Sequence, residues 1–488
     1  MARWYRRTVH SSWLIAWAAG GVVAGVALAG WAGEPLLLFA AMPWLLAAAI
    51  LLTIAGAKRT AAAVPLVVGA GLLLGLWRGA GEQQARIITY TPWFGHTVTL
   101  TGTVSEDATR GAGGDVRLTL THVTANKRDW PGTIWASTLS TVSVRRGDSI
   151  TLRGSLDHGF GSFAASLPYA GVEHITHPLP GDLGVRLRDW FSGGVRRAIP
   201  EPQASLGAGY LLGQNSALPQ PLEDALKTVG LTHAVVASGY NLTILVAFAR
   251  RRFLNISKYI ATLAAAALAG SFILIAGFSP SMVRAGLVTG LSLAAWYYGR
   301  TVHPLVLLPL AAAITVLIDP AYAWGDLGWA LSFAAFAGVI VLAPLVQRTV
   351  WGRRPVGMMR DIVISTLAAQ AATLPIMLSA FGQYSPYALL ANVLVLPLIP
   401  FTMVLIFAGG VAGITLPAAA AHWVGWPALV LLHYMTSVVG FIAGLPGAAA
   451  AISFPTGAVI IAYTILLVLL YVLWRKTHYN FRDEQPAE

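Results

Sequence analysis

Cysteine is absent from the 488 residues, which excludes disulfides, thiolate metal sites and cysteine nucleophiles. Any domain outside the cytoplasm must therefore hold together by its core alone. Charge is scarce as well: Asp, Glu, Lys and Arg make up 11% of the chain, far below the about 25% of soluble globular proteins. No G-x-x-x-x-G-K-[ST] segment occurs, so the chain offers no phosphate-binding loop of that kind for driving work with ATP. No cleavable leader is expected, because the first apolar run, from Trp13 to about Ala32, is followed directly by another.

What is present is apolar. Hydrophobic residues reach 56% and mean hydropathy is +0.67, and runs long enough to cross the ~30 Å hydrocarbon core recur along nearly the whole chain. The expected fold class is a polytopic α-helical membrane protein of about twelve spans, some broken or re-entrant, with one extracytoplasmic all-β, OB-like domain. The formal net charge of +12 suits a polyanionic partner, but Lys and Arg also collect in cytoplasmic loops for reasons of topology.

Three apolar segments open the chain, at about 13–32, 35–56 and 61–77. Arg3, Arg6 and Arg7 precede them, and Lys58 and Arg59 lie between the second and third. The positive-inside rule puts the N-terminus and that loop in the cytoplasm. Residues 86–180 change character, with alternating apolar and polar positions rich in Thr, Val and Ile between Gly and Asp turn signals. Five or so such strands in under a hundred residues suit an OB-type barrel. Residues 181–230 read as amphipathic interfacial helices, the first over 183–199 and weakened by Gly193 and Gly194.

Nine further crossings fill 231–476, and 477–488 is a tail. On that threading Arg250–Arg252, Lys258, Arg300, Arg348, Arg353, Arg354, Arg360, Arg475 and Lys476 all fall on the cytoplasmic side. N- and C-termini are then cytoplasmic, in the inner membrane.

The segment LTHAVVASGYNL, from Leu231 to Leu242, puts His233, Ser238, Gly239 and Asn241 at a depth where polar groups and backbone breaks are costly. Such residues mark a cavity, a pathway or a site. His233 could bind a metal or shuttle a proton, or simply hydrogen-bond within the protein. Ser238 lacks a G-x-S-x-G elbow, so a helix break lining a pore is the better reading. Pro397 and Pro400 interrupt 386–412 in the same way. Arg284 could meet passing phosphates, snorkel, or pair with Asp319 or Asp326. Three classes remain open on the residues alone: a conduit, a secondary transporter of a small solute, and an intramembrane hydrolase centred on Ser238 and His233.

A β-domain behind a few N-terminal spans is followed in order by GYLLGQNSALPQPLEDALKTVGLTHAVVASGYNL, SPSMVRAGLVTGLSLAAWYYGR, DPAYAWGDLGWALSFAAFAGVIVLAPL and ANVLVLPLIP. These motifs resemble the ComEC-type competence channel family over roughly residues 60–475. The resemblance implies translocation of single-stranded DNA into the cytoplasm during natural transformation, with no covalent chemistry or cofactor. It implies signature or pore-lining roles for His233, Ser238, Gly239, Asn241, Ser281, Arg284, Asp319, Asp326, Ser332, Gln370, Asn392 and Pro397, with Thr243 and Thr373 completing a polar, weakly binding wall. It further implies a ComFA-like cytoplasmic helicase, a ComEA-like receptor, a pilus and a separate nuclease, since no HxHxDH-type cluster of the metallo-β-lactamase-like domain occurs. The family usually reads close to HLLAISGLHV, so Tyr240 and Asn241 are departures here. Asn241 can hydrogen-bond but cannot titrate.

In the β-domain, Arg117, Lys127, Arg128, Arg145, Arg146 and Arg153 offer charge, and Trp130 and Trp135 offer stacking surfaces, of the kind that bind single strands. Glu106, Asp107 and Asp115 dilute the patch.

Overall fold

The computed structural model describes residues 10–31, 42–56, 63–111, 113–139, 144–178, 181–213, 218–231, 239–277, 280–299, 303–352, 357–452 and 454–481. It is mostly helical with one β-sheet domain in the N-terminal region, and it divides into two compact units, 1–182 with 294–330, and 183–293 with 331–488.

The first unit begins with α1 (Ser11–Trp31), α2 (Met42–Gly56) and α3 (Ala63–Tyr90). Glycine lets α1 and α3 touch backbone to backbone. A Cβ on Gly21 would lie 2.4 Å from the Val68 carbonyl oxygen, on Gly25 2.1 Å from Leu72, on Gly71 2.1 Å from Ala18 and on Gly75 2.2 Å from Val22. Partners rise together along both helices, so the pair runs parallel. Its G-x-x-x-G spacing is the device by which helices approach closely in lipid, where hydrophobicity supplies no drive.

α3 continues without a break into the β-domain, so the boundary expected at 85 falls inside a helix. Strands β1 (Thr97–Val104), β2 (Thr109–Arg110), β3 (Val116–Ala125), β4 (Arg128–Trp130), β5 (Ile134–Thr138), β6 (Ser149–Ser155), β7 (Asp157–His158), β8 (Ala165–Leu167) and β9 (Gly171–Thr176) form one sheet. Its order is β7-β8-β5-β3-β1-β6-β9, with β2 and β4 also on β3. Alternation drives it: Val98, Leu100 and Val104 of β1, Leu118 and Leu120 of β3 and Ile150 and Leu152 of β6 are buried, while the threonines between face out or lie half-buried. An irregularity in register, Thr101 opposite Thr124 but Thr103 opposite Thr121, bends β3 at His122, whose φ is +48°. Asn126 and Lys127, both at positive φ, close the β3–β4 hairpin as primed turns require. The unit is completed by α10 (Pro304–Ile318) and α11 (Ala321–Gly325), with Ala313 and Val316 packed on Ala19, Val22 and Val26 of α1.

The second unit holds α4 (Leu183–Ala198), α5 (Gln203–Leu212), α6 (Gln220–Thr228), α7 (Gly239–Phe253), α8 (Lys258–Ala276) and most of α9 (Pro280–Tyr297). After the boundary it continues through most of α12 (Leu327–Ala337), a π-helical turn at Gly338–Leu342, α13 (Ala343–Trp351) and α14 (Met358–Phe381). The π turn sits where Gly338 lets α14 close in: a Cβ there would lie 2.4 Å from the Ala368 carbonyl oxygen. Next come α15 (Ala388–Val395), a 3₁₀ turn at Leu396–Leu398 holding Pro397, α16 (Ile399–Thr415), α17 (Ala418–Ala443) and α18 (Thr456–Thr477), with a short pairing of β10 (Gln383–Tyr384) and β11 (Ala450–Ala451). Leu206, Tyr210, Leu231, Val395, Ile406, Leu432 and Met435 belong to its main core.

α4 forms where the sequence placed it, but Gly194 does the opposite of weakening it. A Cβ on Gly413 of α16 would sit 1.9 Å from the Gly194 carbonyl oxygen, so glycine on both sides makes this contact possible. The buried stripe of α4 includes Arg188 and Ser192, while Leu183, Leu187 and Trp190 face outward. Arg186, Asp189, Arg196 and Arg197 are exposed beside them, a mixed face of the kind that lies at a membrane interface.

Eight helices among the described residues are long and apolar enough to cross a membrane: Ser11–Trp31, Ala63–Trp93, Lys258–Ala276, Leu327–Trp351, Arg360–Phe381, Ala388–Thr415, Ala418–Ala443 and Thr456–Thr477. The other four expected crossings fall on α2, α7, α9 and α10, which have 15, 15, 18 and 15 residues. The 304–318 helix, expected within the 231–476 domain, groups instead with the first unit.

Candidate functional site

A helix leaves its last four carbonyls without intrahelical donors, and in a water-free setting other groups must supply them. Every residue of α5 is buried, so its end cannot turn to solvent. Gly213, at φ +71°, returns its N–H to Ala208 and Gly209. Asn241, 1% exposed in the first turn of α7, donates its Nδ2 to the Tyr210 carbonyl at 3.0 Å. The residue expected to line a pore thus caps a buried helix end thirty-one positions earlier in the chain. Its Oδ1 is buried and has no hydrogen-bond partner.

The rest of the signature divides. His233 and Ser238 lie outside the described residues, and the Ser281 side chain does too. Gly239 starts α7 against α9, where a Cβ would meet that of Ala285 at 3.0 Å. Thr243 is exposed and returns its hydroxyl to the Gly239 carbonyl at 2.9 Å. Asn392 on α15 is 1% exposed, and its Oδ1 also lacks a partner. Ser332 and Gln370 are half-buried. Thr373 returns its hydroxyl to Ala369 and Gln370 within α14. Pro397 lies in the turn that joins α15 to α16.

Arg284 is buried, with its guanidinium carbon 4.8 Å from the ring centre of Phe333, a cation–π arrangement. The two aspartates considered for it serve other groups. Asp319 accepts from the Ala321 N–H at 3.0 Å and faces Arg86 at 3.8 Å. Asp326 accepts from the Trp329 N–H at the start of α12 and from the Ser162 hydroxyl at 3.3 Å, the usual work of an N-capping carboxylate.

Two groups of polar residues were missed from the sequence. Arg188 and Ser192 on the interfacial helix α4 are 4% and 0% exposed. Arg78, Glu82 and Arg86, one turn apart on α3, form an ion-paired ladder. Arg78 donates to the Leu317 and Ile318 carbonyls at 3.0 and 3.1 Å and so caps α10. Arg86 donates to the Ser162 carbonyl at 3.2 Å and lies over the Trp324 ring. The signal was available: an Arg at the end of an apolar run with partners at i+4 and i+8. Glu106 in the same unit, exposed on one side, is pushed above its ordinary value by partial burial, and further by Asp326 and Asp107.

The β-domain residues do not make one patch. Arg117 lies at one end of β3, while Lys127 and Arg128 lie past the other, separated by up to about 30 Å of strand. Both ends are exposed, as are Arg145 and Arg153. Arg117 pairs with Asp115 at 3.0 Å and Arg153 approaches Glu173 at 3.8 Å. Two members are buried. Arg146 is buried in a two-pronged pair with Asp182, at 2.8 and 3.2 Å. Trp130 is 7% exposed, edge-on to Tyr90 at 5.0 Å, and offers no face for stacking. Trp135 is half-buried and packs against Phe160. Among the described residues no three of His, Asp and Glu converge as a metal site.

Comparison with known proteins gives two matches. A family model described as "Competence protein" matches residues 210–477, just over half of the chain. ComE operon protein 3 of Bacillus subtilis (strain 168) is 24% identical over 284 residues, which are 57% of this chain and 35% of that protein. The matched stretch therefore spans about a third of the relative's length. No solved structure matches.

Proposed function

The chain belongs to the competence protein family, and on that premise we propose that it passes single-stranded DNA inward across the cytoplasmic membrane during natural transformation. The β-domain, taken as OB-like, meets the strand outside, and the helices of 231–476 form the conduit. On this reading the basic loops lie inside, which puts both termini in the cytoplasm, and α2, α7, α9 and α10 are counted with the eight longer helices as twelve crossings. The passage involves no covalent step. A cytoplasmic ATP-driven helicase pulls the strand, and a DNA receptor, a pilus and a separate nuclease act outside.

The observation that supports this reading best is the pair of buried, unpaired amide oxygens on Asn241 and Asn392. A buried acceptor without a donor costs free energy, on the order of 1–3 kcal/mol, and a neutral amide oxygen can accept from the N–H edges of passing bases while giving the phosphates no donor to hold. Weak sites suit conduction, which requires release as well as entry. In cells, Asn392→Leu, inserted at wild-type level, is expected to reduce uptake of labelled DNA into the cytosol at least several-fold while surface-bound DNA stays unchanged. Asn241→Leu is expected to do the same with lower protein abundance, because it also uncaps α5. Normal cytosolic uptake in a strain lacking the gene would refute the conduit, and normal uptake by Asn392→Leu would refute the wall.

A further inference from the structure

We propose that the loop Gly159–Phe163, together with the flank of α3 beside it, is a membrane anchor that beds the β-domain in the lipid headgroup layer. This inference is independent of what the protein carries. α3 runs unbroken from its apolar stretch to Tyr90, which is buried in the β-domain core, so the domain stands directly on the bilayer. Height can be read from the parallel α1–α3 pair. Gly79 meets Ala29 and Gly75 meets Val22 and Val26, which sets Trp31, the end of the apolar α1, level with the Glu82 turn. Arg86 is one turn higher, about 6 Å, and the headgroup layer on each side is about 5–7 Å deep.

The loop is tied at that height by contacts on both sides of its tip. The Ser162 carbonyl accepts from Arg86 at 3.2 Å, and the Ser162 hydroxyl donates to Asp326 at 3.3 Å. A Cβ on Gly325 would lie 2.8 Å from the Gly161 backbone. Phe160 at the tip is nevertheless 53% exposed, its ring held between Trp135 and Phe163 at 5.4 and 5.3 Å. Ile88 and Trp31 are exposed as well, at 66% and 90%. Exposed aromatic and aliphatic groups at this depth are what the bilayer interface stabilises. A ring already braced by two others also loses little freedom on insertion. Ile88 lies about 200° round α3 from Arg86, so exposed apolar groups stand at this height on more than one side of the stalk, a distribution that suits an encircling bilayer rather than a stacked strand.

The cysteine-free chain makes the test direct. Phe160→Cys in the full-length protein, labelled with an environment-sensitive fluorophore, is reconstituted in phospholipid nanodiscs. Ile465→Cys on α18 serves as the hydrocarbon reference and the dye on free cysteine as the aqueous one. The expected result is blue-shifted emission, strong quenching by spin-labelled lipid and several-fold weaker quenching by iodide than the free dye shows. Ile88→Cys reports from the same height through a separate element, in case substitution at Phe160 disturbs the loop. Aqueous emission and full iodide access at both positions would overturn the proposal. So would protection that arises only when a single-stranded oligonucleotide is added.

Discussion

Single side chains in this protein settle debts that helix ends leave behind. Asn241 caps α5, Arg78 caps α10, and the Trp324 indole donates to the Val26 carbonyl at 2.8 Å. None of these pairings is local, so the polar residue was visible in the sequence and its partner was not. Glu106 is a milder case, exposed on one side. Partial burial, and then Asp326 and Asp107, raise its pKa above the ordinary 4.5, so the folded state holds that proton somewhat more tightly than the unfolded chain. The associated stability is complete below about pH 4.5 and is lost as pH rises through the folded value. Glu106→Gln, which cannot ionise, is therefore expected to melt above the wild type at pH 7.5, with the gap closing by pH 4. Equal melting temperatures at pH 7.5 in the same detergent would contradict this.

At the scale of elements, glycine positions decide which helices touch. Gly413→Val is expected to force α4 from α16, since a Cβ there would overlap the Gly194 carbonyl. Overpacking costs typically about 1–3 kcal/mol. Gly440→Ala on α17, where nothing lies within 4 Å, should be neutral or slightly stabilising. Denaturation of the two purified variants side by side checks the contrast. The existence and rough bounds of α1, α4, α16, α17 and α18 were legible, because apolar runs and amphipathic spacing are properties of short windows. The direction in which α4 faces was not, because Leu183, Leu187 and Trp190 carry the apolar spacing and yet are exposed, while Arg188 and Ser192 are buried. The same limit applies to Trp130: stacking surface and core residue share one side chain, and only the packing against Tyr90 separates them.

For the whole molecule, the broad class followed from composition and the two units did not. Residues 294–330 join the first unit across more than a hundred intervening positions, through packing such as that of Val316 on Val26, which no window of sequence reveals. Topology is open to direct measurement. Arg128→Cys is expected to react with an impermeant maleimide in intact spheroplasts, whereas Lys476→Cys should react only after lysis. The reverse pattern would invert the orientation derived from the basic loops.

The parallel pairing of α1 with α3 also has a schedule. Gly25 meets Leu72 and Leu76, residues synthesised about fifty positions later, with α2 made in between. At about 5–20 residues per second the glycine face of α1 waits roughly 2 to 10 s in the membrane before its partner emerges. Whatever covers that face in the interval, lipid tails or the insertion machinery, must be displaced afterwards, so birth order and final packing are set by the same four glycines.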